Sequence, residues 1–274
     1  MNADINNFLG IEQLRQVQLE VMDVVDKFCR QNDIRYFITA GTLIGALRHK
    51  GYVPWDDDID IVMLRDDYEK FIEQFRDFSP RYKVCSIETD PNCHFSYAKV
   101  YDDNTIFIEG NERKGGKCIG VNVDIFPLDY VTDDYNDAVR LKKKIKPYDG
   151  ILTVKHIVKK DRGFRKNVTL FVLKAVCSLI PFSWCIKRID RLARRFEKNT
   201  TSRYVVNAVI YAKGEREILE RDWFRDSIEL PFENRKYLAP IGADQYMRRL
   251  FGDYMQLPPE EKRVTHHSFK AYYK

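Results

Sequence analysis

Gly51-Tyr-Val-Pro-Trp-Asp-Asp-Asp-Ile-Asp-Ile-Val-Met63 places four carboxylates, Asp56, Asp57, Asp58 and Asp60, next to a short apolar run. From Asp58 onward acidic and apolar residues alternate, the period of a strand with one apolar face. On such a strand Asp58 and Asp60 point the same way, with Cα atoms about 6.6 Å apart, twice the rise per residue. Two carboxylates aimed together repel at neutral pH and call for a cation or a shared proton. Magnesium suits that need, because it takes oxygen ligands, keeps some waters and sits against substrate phosphates. A solvated acidic turn is the plainer alternative. An EF-hand loop does not fit, since the sixth position from Asp56 is Ile61 where Gly is required, and the twelfth is Asp67 where Glu is required.

Working outward, Ile34–Ala40 reads as a strand, Gly41-Thr42 as a tight turn and Thr42–Arg48 as a short helix. That order turns backbone N–H groups toward a site where phosphate can rest. Downstream, Val121–Phe126 alternates again and carries Asp124 between apolar neighbours. If the two acidic strands are neighbours, Asp58, Asp60 and Asp124 form a two-metal phosphoryl-transfer site.

The run from Gly41 to Ile61, Gly-Thr-Leu-Ile-Gly-Ala-Leu-Arg-His-Lys-Gly-Tyr-Val-Pro-Trp-Asp-Asp-Asp-Ile-Asp-Ile, resembles the signature of the LicD family. A second block, Gly252–Arg263 followed by His266-His267, resembles that family's C-terminal signature, and the two together span almost the whole chain. The family is similar to nucleotidyltransferase-fold enzymes. Gly41-Thr42, Asp58-Ile-Asp60 and Val123-Asp124-Ile125 match their turn, paired-Asp strand and single-Asp strand in order. The resemblance implies an α+β fold: a nucleotidyltransferase-like mixed sheet with flanking helices plus a basic, mainly helical C-terminal part. It implies transfer of phosphocholine, or a similar phospho-alcohol, from CDP-choline or a related CDP-alcohol to a sugar hydroxyl, with release of CMP. The acceptor implied is a cell-surface glycan such as teichoic acid or lipopolysaccharide, built on a lipid carrier. Asp58, Asp60 and Asp124 would be catalytic and would hold Mg2+, as two ions, with Mn2+ as substitute. Gly41, Thr42, Arg48, Trp55, Lys99, His266 and His267 would contact the donor: Arg48 as a phosphate clamp, Trp55 as an aromatic face for choline, Lys99 against a phosphate. Two other readings remain beside it. One is nucleotidyl transfer from an NTP to a hydroxyl; the other is a non-catalytic membrane- or glycan-binding protein.

The 274 residues suit three parts: 1–133 as catalytic core, 134–203 as a basic helical region, and 204–274 packing back to complete the site. Hydrophobic content of 44% supports a real core. Between Arg140 and Arg203 there are nineteen Lys and Arg against four Asp and Glu, a net +15, so the remainder carries −10 of the total +5. No nucleic-acid module accompanies that charge, so no nucleic-acid partner is expected. Ala175–Ile186 is the longest uncharged run there, 12 residues interrupted by Pro181, too short to span a bilayer. With basic flanks it reads as a core helix or as a peripheral contact with anionic membrane. Six cysteines without a C-x-x-C pair, behind a polar start, read as reduced thiols in the cytoplasm, at the inner face of the membrane. Zinc binding by Cys85, Cys93 and His94 is the lesser alternative to a purely structural role.

Among the remaining elements, helices are expected over Ile11–Arg30 and Arg65–Phe78, the second burying Phe78. Strands are expected over Tyr82–Glu88, Phe95–Tyr101 and Thr105–Glu109, with Lys99 facing solvent and Lys114–Lys117 as a basic turn. Pro127 should end the Asp124 strand, since it cannot donate to a ladder. Asp129 ranks behind Asp124 as a site residue.

Overall fold

A computed structural model describes residues 8–109, 119–157, 164–264 and 269–274. The chain opens with α1 (Ile11–Gln31), whose Leu14, Val17, Val21, Met22 and Val25 recur at helical spacing and are buried. Then come β1 (Phe37–Ile38), α2 (Ala40–Arg48), β2 (Asp60–Leu64), α3 (Arg65–Phe75), β3 (Tyr82–Cys85), β4 (Ala98–Asp102), β5 (Thr105–Glu109) and β6 (Asn122–Tyr130). Three helices follow: α4 (Tyr135–His156), α5 (Phe164–Ser178) and α6 (Phe182–Ala193). The remainder is β7 (Tyr204–Val206), β8 (Ile218–Glu220), β9 (Ser227–Phe232), β10 (Arg235–Pro240), α7 (Ala243–Phe251) and β11 (Phe269–Tyr273). The class is α+β, as the resemblance implies.

Five strands of the main sheet run in the order β1-β2-β6-β4-β3, and β7 and β8 continue it from the far end of β6. Strands β2 and β6 are parallel while the other pairs are antiparallel, so the sheet is mixed. The parallel register sets Asp60 opposite Asp124, and on the other side of β6 Lys99 is opposite Asp124. Two smaller sheets, β9 with β10 and β5 with β11, stand apart from it. Thus β4 and β5 belong to different sheets although only Asp103 and Asn104 separate them.

The fold corrects three expectations. Strand β6 passes through Pro127 to Tyr130. The Asp124 N–H donates to the carbonyl of Ile59, just before β2, so by alternation the nitrogen of Pro127 faces the opposite side. There β4 has ended at the Ala98–Ile125 pair and β7 begins only at Asp129, so no ladder bond is lost. Phe78 is exposed beyond the end of α3, although its ring meets Phe28 edge-on. Lys99 is buried, not solvent-facing.

The apolar side chains gather into two main clusters. The first joins α1, α2, α3 and the sheet, and Phe224, Phe232, Tyr237, Tyr246 and Met247 from the later part of the chain pack into it. The second lies between α4, α6, β7 and β8, with Ala138, Leu141, Ile145, Ile186 and Ile189 at its centre. Through it runs Lys142, whose buried ammonium donates to Glu217 Oε2 at 2.6 Å and to the carbonyls of Asn207 and Ile210.

Candidate active site

The acidic stretch is a clamped loop leading into β2. Arg15, on α1, donates through Nη2 to the carbonyls of Val53, Pro54 and Asp56 at 3.2, 3.1 and 2.5 Å. One turn along, Gln18 Nε2 donates to the Asp57 carbonyl at 2.8 Å. From the other side, Glu233 in the β9–β10 turn accepts from the Tyr52 N–H at 3.0 Å and donates its own N–H to the Lys50 carbonyl. A Cβ at Gly51 would lie 2.2 Å from the Glu233 carboxylate, so only glycine allows that approach. Periodicity alone marks α1 as a packed helix and not as a support for this loop. The available signal was Gln18, a polar residue inside an apolar stripe.

The turn before α2 fits the loop closely. The Thr39 N–H donates to the Asp60 carbonyl, Ala40 takes φ +45°, and Gly41 presents its bare Cα to Asp56. A Cβ at Gly41 would stand 1.9 Å from Asp56 Oδ2. The group lying against the start of α2 is therefore a carboxylate, an anion favoured at that end of a helix. The Thr42 hydroxyl accepts from the Asp60 N–H at 2.9 Å, pinning the first residue of β2. Thr39 and Tyr246 share a buried hydroxyl pair at 2.6 Å, which fastens α7 beneath this corner.

Asp56, Asp57 and Asp58 bring carboxylate oxygens within 4.8 Å of one another. Asp60 lies outside that trio but feels it. Its proton is held well above the usual carboxylate range, first because packed protein strips water from it, then because Asp58, Asp124 and Asp56 repel its charge. Part of its surface still reaches solvent. Asp124 is ion-paired to Lys99, with Nζ to Oδ1 at 2.6 Å, and the same ammonium reaches Asn122 Oδ1 at 3.2 Å. Hard oxygen donors crowded until one of them resists ionisation are the donor set that a divalent cation fits.

Beside the acidic loop is a cationic corner. Arg48 donates to the carbonyls of Tyr254, at 2.6 Å, and Gln256, and its Nε reaches His49 Nε2 at 2.9 Å. Burial and then the nearby Arg263 lower its proton affinity. The Arg263 guanidinium lies 6.0 Å over the Trp55 ring, whose edge meets His49. Through the Leu257-Pro-Pro259 segment the chain brings Arg263 against this loop. His266 and His267, and the Lys114–Lys117 turn, lie outside the described residues. Asp129 is not among the crowded carboxylates: it is buried against Arg65, Nε to Oδ1 at 2.7 Å, locking α3 to β6. His94 stacks on Phe182 at 4.2 Å, the contact of a packed side chain.

Residues 33–159 match the family model described as LicD/FKTN/FKRP, nucleotidyltransferase domain. The chain is 29% identical over 266 residues to the lipopolysaccharide cholinephosphotransferase LicD of Haemophilus influenzae, covering 94% of this chain and 97% of that one. It is also similar to an uncharacterized protein of Rickettsia typhi, 36% identical over 145 residues, 52% of this chain and 43% of the other.

Proposed function

The chain belongs to the LicD family, and from that premise we propose that it moves a phospho-alcohol from a CDP-linked donor to a sugar hydroxyl of a cell-surface glycan. The relative from H. influenzae, named for lipopolysaccharide and phosphocholine, supports phosphocholine as the group; CDP-choline is the carrier proposed for it. The observation that carries this reading is the crowding of Asp56, Asp58 and Asp124 around Asp60. In it, Asp58, Asp60 and Asp124 would hold two magnesium ions, or manganese in their place. Such ions, when bound, offset charge that develops on phosphoryl oxygens in the transition state.

The remaining work falls to side chains. Thr42 fixes Asp60 by its backbone, and Lys99 orients Asp124. Arg48 and Arg263, two guanidiniums close enough to disfavour each other's charge, receive the donor's diphosphate. In this reading Trp55 steadies Arg263. The acceptor oxygen forms a bond to the phosphorus bearing choline as the phosphorus–oxygen bond to CMP breaks. The electron pair leaves with CMP, and we assign the acceptor's proton to Asp124. The parallel β2–β6 pair with facing aspartates supports a nucleotidyltransferase-like catalytic unit.

The family model's description favours one rival, nucleotidyl transfer from an NTP. Incubating the protein with magnesium, a glycan acceptor and CDP-choline, CDP-glycerol, CDP-ribitol or an NTP separates the two. CMP from a CDP-alcohol is expected; pyrophosphate from an NTP, with every CDP-alcohol intact, would refute the proposal.

A further inference from the structure

Helix α5 turns most of its apolar side chains away from the protein. Val168, Phe171, Val172, Ala175, Val176 and Leu179 recur at intervals of three and four, one stripe of a helix. That stripe faces outward: Phe171 is 74% exposed, Val176 58% and Leu179 82%. Toward the protein the helix turns Asn167, Leu170 and Lys174, and Cys177 is its one buried residue among those described. Lys174 donates to the Ile157 carbonyl, and Lys155 on α4 donates to the Ile180 carbonyl, so α5 is tied down by its polar side. An apolar stripe of this length left in water marks a contact surface.

What covers it is indicated by the next helix. After a bend of 79°, α6 buries Cys185, Ile186, Ile189 and Ala193 and turns Trp184, Lys187, Arg188 and Arg191 outward, with Arg195 exposed just beyond its end. Trp184 is half-exposed, packs edge-on against Tyr148, and Arg188 reaches the Tyr148 hydroxyl. A bare apolar stripe on α5, an exposed Trp184 backed by Tyr148 of α4, and four cations on α6 and just after it have the chemistry of an anionic bilayer surface. No single described helix is long and apolar enough to cross a membrane, although the bent α5–α6 pair is by length and composition. We infer that α5 and the outer face of α6 form a peripheral docking surface for anionic lipid, α5 lying in the interface with Phe171 and Leu179 inserted.

Flotation of the full chain with phosphatidylcholine vesicles, with and without phosphatidylglycerol, tests this without reference to catalysis. The chain should float with the anionic vesicles, and its tryptophan fluorescence should shift to the blue. Trp184→Phe should remove that shift while Trp55 and Trp223 remain. Phe171→Asp with Leu179→Asp, both at exposed positions, should lower binding about tenfold or more. Lys187→Glu with Arg191→Glu should erase the preference for phosphatidylglycerol. A chain that stays unbound with every vesicle overturns the inference, as does binding indifferent to both double variants. Dimers in light scattering that Phe171→Asp with Leu179→Asp turns into monomers, without vesicle binding by the parent, would assign the face to self-association and overturn it too.

Discussion

Asp60 bears a burden that its neighbours create. Its folded-state proton affinity is raised, so its protonated form favours the folded chain. That contribution is complete below the ordinary carboxylate value of about 3.9 and is lost as pH rises through the raised one. Asp60→Asn should therefore melt higher than the parent in chelator, by about 2 °C if roughly 1 kcal/mol is relieved. The gap should widen from pH 5 to pH 8 in scanning calorimetry, while transfer activity is lost. A variant that melts lower at pH 8 would show that Asp60 is a stabilising residue. Gly41→Ala tests the adjoining contact. Its methyl group can be accommodated only by moving the Asp56 carboxylate, a short side chain at a partly exposed position. Activity should fall at least about tenfold while stability changes by less than about 1 kcal/mol; equal kinetics would detach Asp56 from the site. The carboxylates themselves were legible, because alternation and crowding are local facts. Arg15, Gln18 and Lys99 gained their meaning only from partners up to 41 positions away, on elements that the sequence does not juxtapose by itself.

At the scale of elements, the amphipathic α1 followed from periodicity, because it buries one face, whereas β2 starts only at Asp60, leaving Asp58 in the loop, and is buried on both faces from Ile61 to Leu64. Periodicity did not show that β6 continues, since the tolerance of Pro127 depends on where β4 stops and β7 starts. Nor does it say which way an apolar stripe points, as α5 demonstrates. Between α4 and the β7–β8 segment, the Lys142–Glu217 pair is an element-level lock: a buried ammonium with three acceptors. Lys142→Met strands the Glu217 carboxylate and should cost about 3–5 kcal/mol in urea unfolding. Adding Glu217→Leu should recover much of that loss. A double variant no more stable than Lys142→Met would mean that packing around α4, not the stranded charge, sets the cost.

For the whole molecule, the division of charge has a structural counterpart. The acidic part contains the sheet with its crowded carboxylates, and the basic part lies over a second apolar cluster that the same sheet reaches through β7 and β8. Composition revealed the asymmetry; the shared strand β6, which serves both clusters, was not legible because its partners arrive from residues 60–64 and 204–206. The central claim is that Asp58, in the loop just before β2, together with Asp60 and Asp124 on two adjacent strands, holds divalent metal for phosphoryl transfer. Electron paramagnetic resonance of Mn2+ titrated into the full chain and into Asp58→Asn tests it most directly. Saturable binding by the parent, weakened at least about tenfold in Asp58→Asn, is the expected result. No saturable binding by the parent, or identical binding by both proteins, would contradict it.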